Sequence, residues 1–246
     1  MAIPVLMKKK LIFSYIAIEA VLLAALMTFQ IITFASGFRI ADKTGPYYPF
    51  IAIFQIALTA VTFLFLLSIF FIERKTNLKN RWNLIVIYGL LILLADIFFV
   101  FLDSSIPPHV CFLTCYLIFM FLRDNKWYEY LIRAGLAGAA ILIVGLMGKL
   151  SPTMAVDICL GAVLIVNAIV FWIDAMKAKT KRAYLIAIAV TLILISDSSI
   201  VLRTFVSSSY SLSQSIHLVS WPTYVVGNCL IAYVYAGEEQ LSNTSK

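Results

Sequence analysis

Two aspartates stand in the middle of apolar stretches of this sequence and could carry proton-transfer chemistry. Asp96 lies in "LILLADIFFVF" and Asp197 lies in "LILISDSSIVL". Ionisable side chains at membrane depth are rare, and they usually face a cavity or a partner. Each aspartate is therefore a functional candidate, and a buried structural pair is the alternative.

Two further acidic residues lie inside apolar stretches. Asp157 is about one turn inside its predicted helix, where it either interacts with the helix dipole or belongs to a site. Glu19 has no partner recognisable in the sequence, so a structural hydrogen bond and a site role are equally open. The four cysteines form no CxxC pair and no cluster with histidine. We therefore expect no disulfide, no metal site and no cofactor.

The composition is that of an integral membrane protein. The chain has 246 residues, of which 63% are hydrophobic and 13% charged, and its mean hydropathy is +0.99. Soluble domains have about 45–50% apolar and about 25% charged residues. We predict one membrane domain over residues 1–246. We attribute the net charge of +7 to loops that face anionic lipid headgroups, and we expect no nucleic-acid partner.

Apolar runs predict an all-α polytopic protein with about eight transmembrane helices. The predicted spans are 11–36, 47–72, 83–103, 108–122, 128–148, 153–175, 183–205 and 219–236. All seven prolines lie at or near the ends of these runs, so we expect them to punctuate the helices without interrupting them. The first run is too long for the apolar region of a signal peptide and is read as a retained helix.

The basic residues predict the orientation. Fifteen of them fall on the side that carries both termini, and four fall on the other side: Arg39, Lys43, Lys149 and Arg203. The positive-inside rule therefore places both termini in the cytoplasm, and in the inner membrane if the source is bacterial.

Polar side chains from four predicted helices reach a similar depth in the outer half of the membrane. At about 1.5 Å per residue they lie roughly 10–13 Å from their helix ends. They are Gln55, Asp96, Asp197 and Asn228. On the last helix, Trp221 and Tyr224 share a face with Asn228. This pattern predicts a polar pocket that opens toward the outer leaflet.

The two aspartate segments also resemble each other. Asp96 and Asp197 are 101 residues and four predicted helices apart, so their helices run in the same direction. A four-plus-four internal duplication explains this pattern, and a chance match between apolar segments is the alternative.

These motifs, in an eight-span chain of this length, resemble the YhhN-like lysoplasmalogenases. Ser196 and Asp197 occupy the S-D positions of the family motif on the seventh helix. On the third helix Asp96 matches, whereas Ala95 replaces a glycine. The resemblance covers nearly the whole chain in topology, although its motifs are short.

Two other motifs match in part. In "YVVGNCLIA" Tyr224 matches the family, whereas Gly227 and Asn228 replace alanine and glutamine. In "FLTCYLIF" Phe112 matches, whereas Tyr116 stands in the position of a histidine.

The resemblance implies hydrolysis of the vinyl ether bond of lysoplasmalogens to a fatty aldehyde and a glycerophospho-choline or -ethanolamine. Asp96 and Asp197 would be catalytic, one as a protonated acid and the other as an ionised carboxylate. Apolar neighbours slightly favour Asp96 as the acid, but the assignment stays open. The residues expected to bind substrate or orient water are Gln55, Tyr116, Ser196, Tyr224 and Asn228. The expected partners are a lysophospholipid, water, membrane lipids and, as one option, a second copy of the chain.

Two other function classes remain open. A small-molecule or proton-coupled transporter would also use buried carboxylates and an internal repeat. Against it, no predicted helix is interrupted by glycine or proline near its middle. A sensor or receptor module would need an output domain, for which the short loops leave no room. A retinal protein would need an interior lysine, which the last two predicted helices lack.

Overall fold

The computed structural model describes residues 5–40, 42–73, 79–101, 106–123, 125–148, 150–205 and 210–236. These residues form eight α-helices and no β-strand. The helices are α1 (Val5–Ala35), α2 (Tyr48–Glu73), α3 (Lys79–Phe101), α4 (Ile106–Phe121), α5 (Trp127–Leu146), α6 (Pro152–Ala178), α7 (Lys181–Phe205) and α8 (Tyr210–Ala236). The prediction of an all-α polytopic membrane protein is confirmed.

Six of these helices are long and apolar enough to cross a bilayer, namely α1, α2, α3, α5, α6 and α7. Large apolar side chains point outward along them, such as Phe13, which is 74% exposed, and Leu146, which is 80% exposed. So much exposed apolar surface along long apolar helices is typical of helices that face lipid. The 16 residues of α4 span about 24 Å, which is less than the hydrocarbon core of about 30 Å.

The last helix differs most from its prediction, because α8 begins at Tyr210 and not at residue 219. Its first two turns are polar, yet Ser213 and Gln214 face the protein interior. The Gln214 side-chain oxygen accepts a hydrogen bond from the Ile40 backbone N–H at 2.8 Å. The prediction that every proline lies near a helix end is therefore wrong for Pro222, which lies inside α8.

The packing order of the helices has an internal symmetry. Contacts of α1 with α2, α2 with α3 and α3 with α4 recur between α5 and α6, α6 and α7, and α7 and α8. The contact of α4 with α6 likewise corresponds to that of α8 with α2. The contact of α1 with α8 has no comparable counterpart between α5 and α4. A four-plus-four duplication would give most of this order, and the duplication itself stays a prediction.

A glycine lets α7 and α8 approach closely. A Cβ atom at Gly227 would lie 2.8 Å from the Ile193 side chain and 3.0 Å from the Ala189 carbonyl oxygen. Any larger residue would push the two helices apart. The close packing brings Ser196 of α7 against Ser220 of α8, with 3.3 Å between the two hydroxyl oxygens.

Ionic contacts join three helices at the end of the bundle where the chain connects α4 to α5. Arg123, just beyond α4, donates hydrogen bonds to Asp174 of α6 and to Glu129 of α5. Burial lowers the pKa of the Arg123 guanidinium, but these two carboxylates outweigh it and hold that pKa above its ordinary value. These contacts fix α4 against α6 at this end of the bundle.

Candidate active site

A cavity of about 700 Å³ lies at the end of the bundle where α1 connects to α2, α3 to α4, α5 to α6 and α7 to α8. Lys43, in the exposed connection between α1 and α2, lies at its mouth. Asp96 and Asp197 both line its interior. Most of the remaining wall is apolar or aromatic and includes Phe99, Phe112, Leu160, Leu164, Trp221 and Tyr224. The two aspartates thus face one largely apolar space.

Asp197 is held by a tyrosine from another helix. The hydroxyl of Tyr116 on α4 donates a hydrogen bond to a carboxylate oxygen of Asp197 at 2.7 Å. Tyr116 is only 1% exposed, so its ring cannot easily swing away. Asp197 itself is partly exposed to the cavity. A partly accessible carboxylate with one fixed donor is suited to contact water or substrate.

Asp96 has a matching but looser arrangement. The hydroxyl of Tyr224 on α8 donates to a carboxylate oxygen of Asp96 at 3.3 Å. Asp96 is only 3% exposed, and its neighbour Ala95 is fully buried. The two carboxylates therefore differ, because Asp96 is more deeply buried and its bond from Tyr224 is longer than the bond from the tyrosine that holds Asp197. Asp96 also has a side-chain hydrogen bond with Thr59 of α2.

The two aspartate–tyrosine pairs follow the same symmetry as the helix packing. Asp96 of α3 pairs with a tyrosine of α8, and Asp197 of α7 pairs with a tyrosine of α4. Each half of the chain thus supplies one carboxylate and the tyrosine that binds the carboxylate of the other half. The sequence revealed the correspondence of the aspartates, but it did not reveal that of Tyr116 and Tyr224.

The other predicted site residues fall into two groups. Gln55 and Ser196 line the cavity together with the aspartates. Asn228 lies outside the cavity lining, one turn along α8 from Tyr224. Its amide donates to the Tyr224 carbonyl oxygen at 2.9 Å, and its side-chain oxygen accepts a hydrogen bond from the Tyr88 hydroxyl. The structure thus places Gln55 and Ser196 in the same cavity wall as the carboxylates and Asn228 behind Tyr224.

Sequence reasoning missed several charged or titratable residues at the cavity mouth. The missed residues are Lys43, His109 and His217, which line the cavity. Asp157, which the sequence left open between a dipole contact and a site role, lines it too. The Nε2 atom of His109 lies 3.5 Å from a carboxylate oxygen of Asp157, which gives this aspartate a partner on α4. The sequence did contain one signal. His109 lies at the start of the fourth predicted helix and His217 lies just before the eighth, so both are expected on the same side of the membrane.

Glu19 lies away from the cavity, in a small hydrogen-bonded group between α1 and α2. Thr62 donates to a Glu19 carboxylate oxygen at 2.8 Å, and the Tyr15 hydroxyl lies 3.1 Å from the Thr62 hydroxyl. Since Glu19 is only 3% exposed and does not line the cavity, the structural reading fits it better than a site role.

Comparison with known proteins gives one match. The model of the YhhN family matches residues 52–234, which run from the first turns of α2 nearly to the end of α8. No curated protein and no solved structure matches the chain. The matched region contains both aspartates and both tyrosines that bind them, and it covers well over half of the sequence. The chain therefore belongs to the YhhN family.

Proposed function

We propose that this protein is a lysoplasmalogenase-like hydrolase that cleaves the vinyl ether bond of lysoplasmalogens. The observation that carries the proposal is the pair of aspartates, each bound by a tyrosine, in one largely apolar cavity. Membership of the YhhN family supports the same conclusion. A vinyl ether needs acid catalysis and an apolar environment for its chain, and this cavity offers both.

The reaction needs one acid and one base. The acid transfers a proton to the second carbon of the alkenyl chain, which leaves an oxocarbenium ion at the first carbon. Water adds to that carbon as the base takes its proton, and the resulting hemiacetal collapses. In the collapse, the base passes the proton that it took from water to the glycerol oxygen as the carbon–oxygen bond to glycerol breaks. The hemiacetal hydroxyl gives its proton to the ionised acid, a fatty aldehyde leaves, and both carboxyl groups are back in their starting states. Glycosidases use paired carboxylates around a similar cation.

The hydrogen bonds suggest which aspartate has which role. We assign the base to Asp197, because the short bond from Tyr116 stabilises a negative charge and cavity access admits water. We assign the acid to Asp96, because deep burial against Ala95 favours a neutral carboxyl group. Ser196 and Gln55 line the same space, and in this proposal they orient the water or the glycerol oxygens.

The mouth of the cavity suits a zwitterionic headgroup. Lys43 can attract a phosphate, His217 can donate a hydrogen bond to it, and Asp157 can attract an ammonium group. The apolar wall below them suits the start of a hydrocarbon chain. The vinyl ether of a lysoplasmalogen lies between these two parts, at the level of the aspartates.

The proposal is tested with purified protein and lysoplasmenyl-ethanolamine in D₂O. We expect release of a fatty aldehyde that carries one deuterium on its second carbon, because protonation occurs at that carbon. The matched control is the lysophospholipid with an ester in place of the vinyl ether, which should release no aldehyde. A second control incubates the free aldehyde with protein in D₂O to measure exchange. Absence of aldehyde from the vinyl ether substrate would refute the proposal.

One observation is compatible with the alternative of a transporter. Pro222 lies inside α8 beside the cavity residue Trp221, where a proline could weaken the helix. However, α8 runs without a break from Tyr210 to Ala236, unlike the discontinuous helices of many carriers. Substrate-dependent proton flux in proteoliposomes, without aldehyde release, would favour the transporter.

A further inference from the structure

A second apolar space lies on the outer surface of the bundle, between α6 and α7. It measures about 380 Å³ and is lined almost entirely by apolar side chains. On α6 these are Ile165, Ala168, Ile169, Trp172, Ile173 and Met176, and on α7 they are Thr191 and Leu194. Several are exposed, including Ile169 at 55% and Met176 at 57%. We call this space the α6–α7 groove.

The groove and the cavity are adjacent and share part of their walls between α6 and α7. Ile165 and Leu194 line both of them. The cavity extends from these two side chains toward the helix ends that carry Lys43 and Asp157, whereas the groove extends the opposite way, toward Met176 near the end of α6. Only these two side chains are common to the walls of both spaces.

The shape of the groove is held by contacts between its own residues. The indole N–H of Trp172 donates to the Thr191 hydroxyl at 2.9 Å, and that hydroxyl donates to the Ala187 carbonyl at 2.8 Å. The ring of Tyr184 packs edge-on against Trp172, with 6.3 Å between the ring centres. These contacts fix the indole across the α6–α7 boundary, so the groove does not have to form anew around a ligand.

We infer that the α6–α7 groove binds the hydrocarbon chain of the lipid whose reactive bond lies in the cavity. From Ile165 to Met176 the groove follows eleven residues of α6, which is roughly 16 Å. With the headgroup at the cavity mouth and the first carbons beside the aspartates, the rest of the chain passes Ile165 and Leu194 and leaves sideways into the groove. Long chains then need no large internal cavity, and substrate enters from the bilayer.

This inference extends the proposed function, because it assigns a place to the chain of the same substrate. It also makes a distinct statement, since the position of a bound chain can be measured without any reaction. The probe is a lysophosphatidylcholine analogue with a photoactivatable diazirine at the end of its acyl chain. It carries an ester, so it binds as a lysophospholipid without offering a vinyl ether.

The experiment maps the residues that the diazirine labels in detergent-solubilised full-length protein. We expect adducts concentrated on the segment from Ile165 to Met176, and we expect excess unlabelled lysophosphatidylcholine to suppress them. In Ile169→Trp the indole fills the groove, so labelling of this segment should fall about tenfold. The matched control is Ile53→Trp, because Ile53 is 61% exposed on α2 and lies outside both spaces. This control should leave the labelling unchanged.

Either of two results would overturn the inference. One is labelling spread evenly over the lipid-facing helices and insensitive to competitor. The other is equal loss of labelling in Ile169→Trp and Ile53→Trp. Labelling of the groove by a protein that fails to hydrolyse the vinyl ether would reject the proposed reaction and would still support the chain site.

Discussion

The two tyrosine–aspartate hydrogen bonds allow a matched test of the catalytic roles. Tyr116→Phe and Tyr224→Phe each remove one hydroxyl and keep the ring, so the two variants are chemically alike. If Asp197 is the ionised base, Tyr116 makes a charge-assisted hydrogen bond at 2.7 Å. If Asp96 is the neutral acid, Tyr224 makes a neutral hydrogen bond at 3.3 Å. The first loss should therefore be much larger than the second.

The magnitudes follow from the type of hydrogen bond. A hydrogen bond to a charged group contributes about 1.5–3 kcal/mol, and one between neutral groups about 0.5–1.5 kcal/mol. Since about 1.4 kcal/mol corresponds to a tenfold change in rate, kcat/KM should fall about 10- to 150-fold in Tyr116→Phe. In Tyr224→Phe it should fall about 2- to 12-fold, and the long 3.3 Å distance favours the lower end of that range.

The pH–rate profile separates catalysis from folding. Without its donor, the carboxylate of Asp197 takes up a proton more readily, so the acidic limb of the profile should move to higher pH in Tyr116→Phe. That limb should stay in place in Tyr224→Phe. The assay is aldehyde release from lysoplasmenyl-ethanolamine at a series of pH values, with the melting temperature of each variant measured in the same detergent. An equal or larger loss in Tyr224→Phe, or an unmoved acidic limb in Tyr116→Phe, would refute the assignment of roles.

Three further variants test the structure around the site. Gly227→Val should lower the free energy of unfolding by about 1–3 kcal/mol, because its side chain would clash with α7. The control is Gly138→Val on α5, where a Cβ atom would meet no atom within 4 Å, and thermal unfolding in detergent compares the two. Arg123→Gln should lower the free energy of unfolding by about 1–3 kcal/mol, because Asp174 and Glu129 each lose a charged donor. A melting temperature equal to that of the wild type would contradict this prediction. Lys43→Gln should raise KM for lysoplasmenyl-ethanolamine about two- to fivefold without changing kcat, because Lys43 attracts the phosphate. KM for an alkenylglycerol that lacks the phosphate should be the same in the variant and the wild type.

The sequence predicts the helical scaffold well where helices are apolar throughout. The runs from α2 to α7 are predicted within a few residues, because their side chains contact lipid or apolar neighbours and hydropathy reports both. The start of α8 was mispredicted because its first two turns are polar and hydropathy does not identify them as helix. Its polar residues face the protein, where Gln214 binds the backbone at Ile40, and a hydropathy window cannot distinguish a polar side chain in the interior from one in a loop.

The site was predictable only in part. Aspartates inside apolar runs stand out, so Asp96 and Asp197 were found. Their tyrosine partners lie 128 and 81 positions away in the sequence, and such pairings depend on how the helices pack. The cavity mouth was missed because Lys43 and the two histidines lie near helix ends, where charged residues are ordinary. Whether such residues converge is decided by the bundle and not by their local sequence.

The central claim is that the paired aspartates hydrolyse a vinyl ether, and the most direct test is aldehyde release by the wild type beside Asp96→Asn and Asp197→Asn. General acid–base groups contribute about 10²- to 10⁴-fold, so each variant should lose activity by that factor while it keeps the fold and the ability to bind lysophospholipid. Full activity in both variants, or a wild type that releases no aldehyde, would contradict the account.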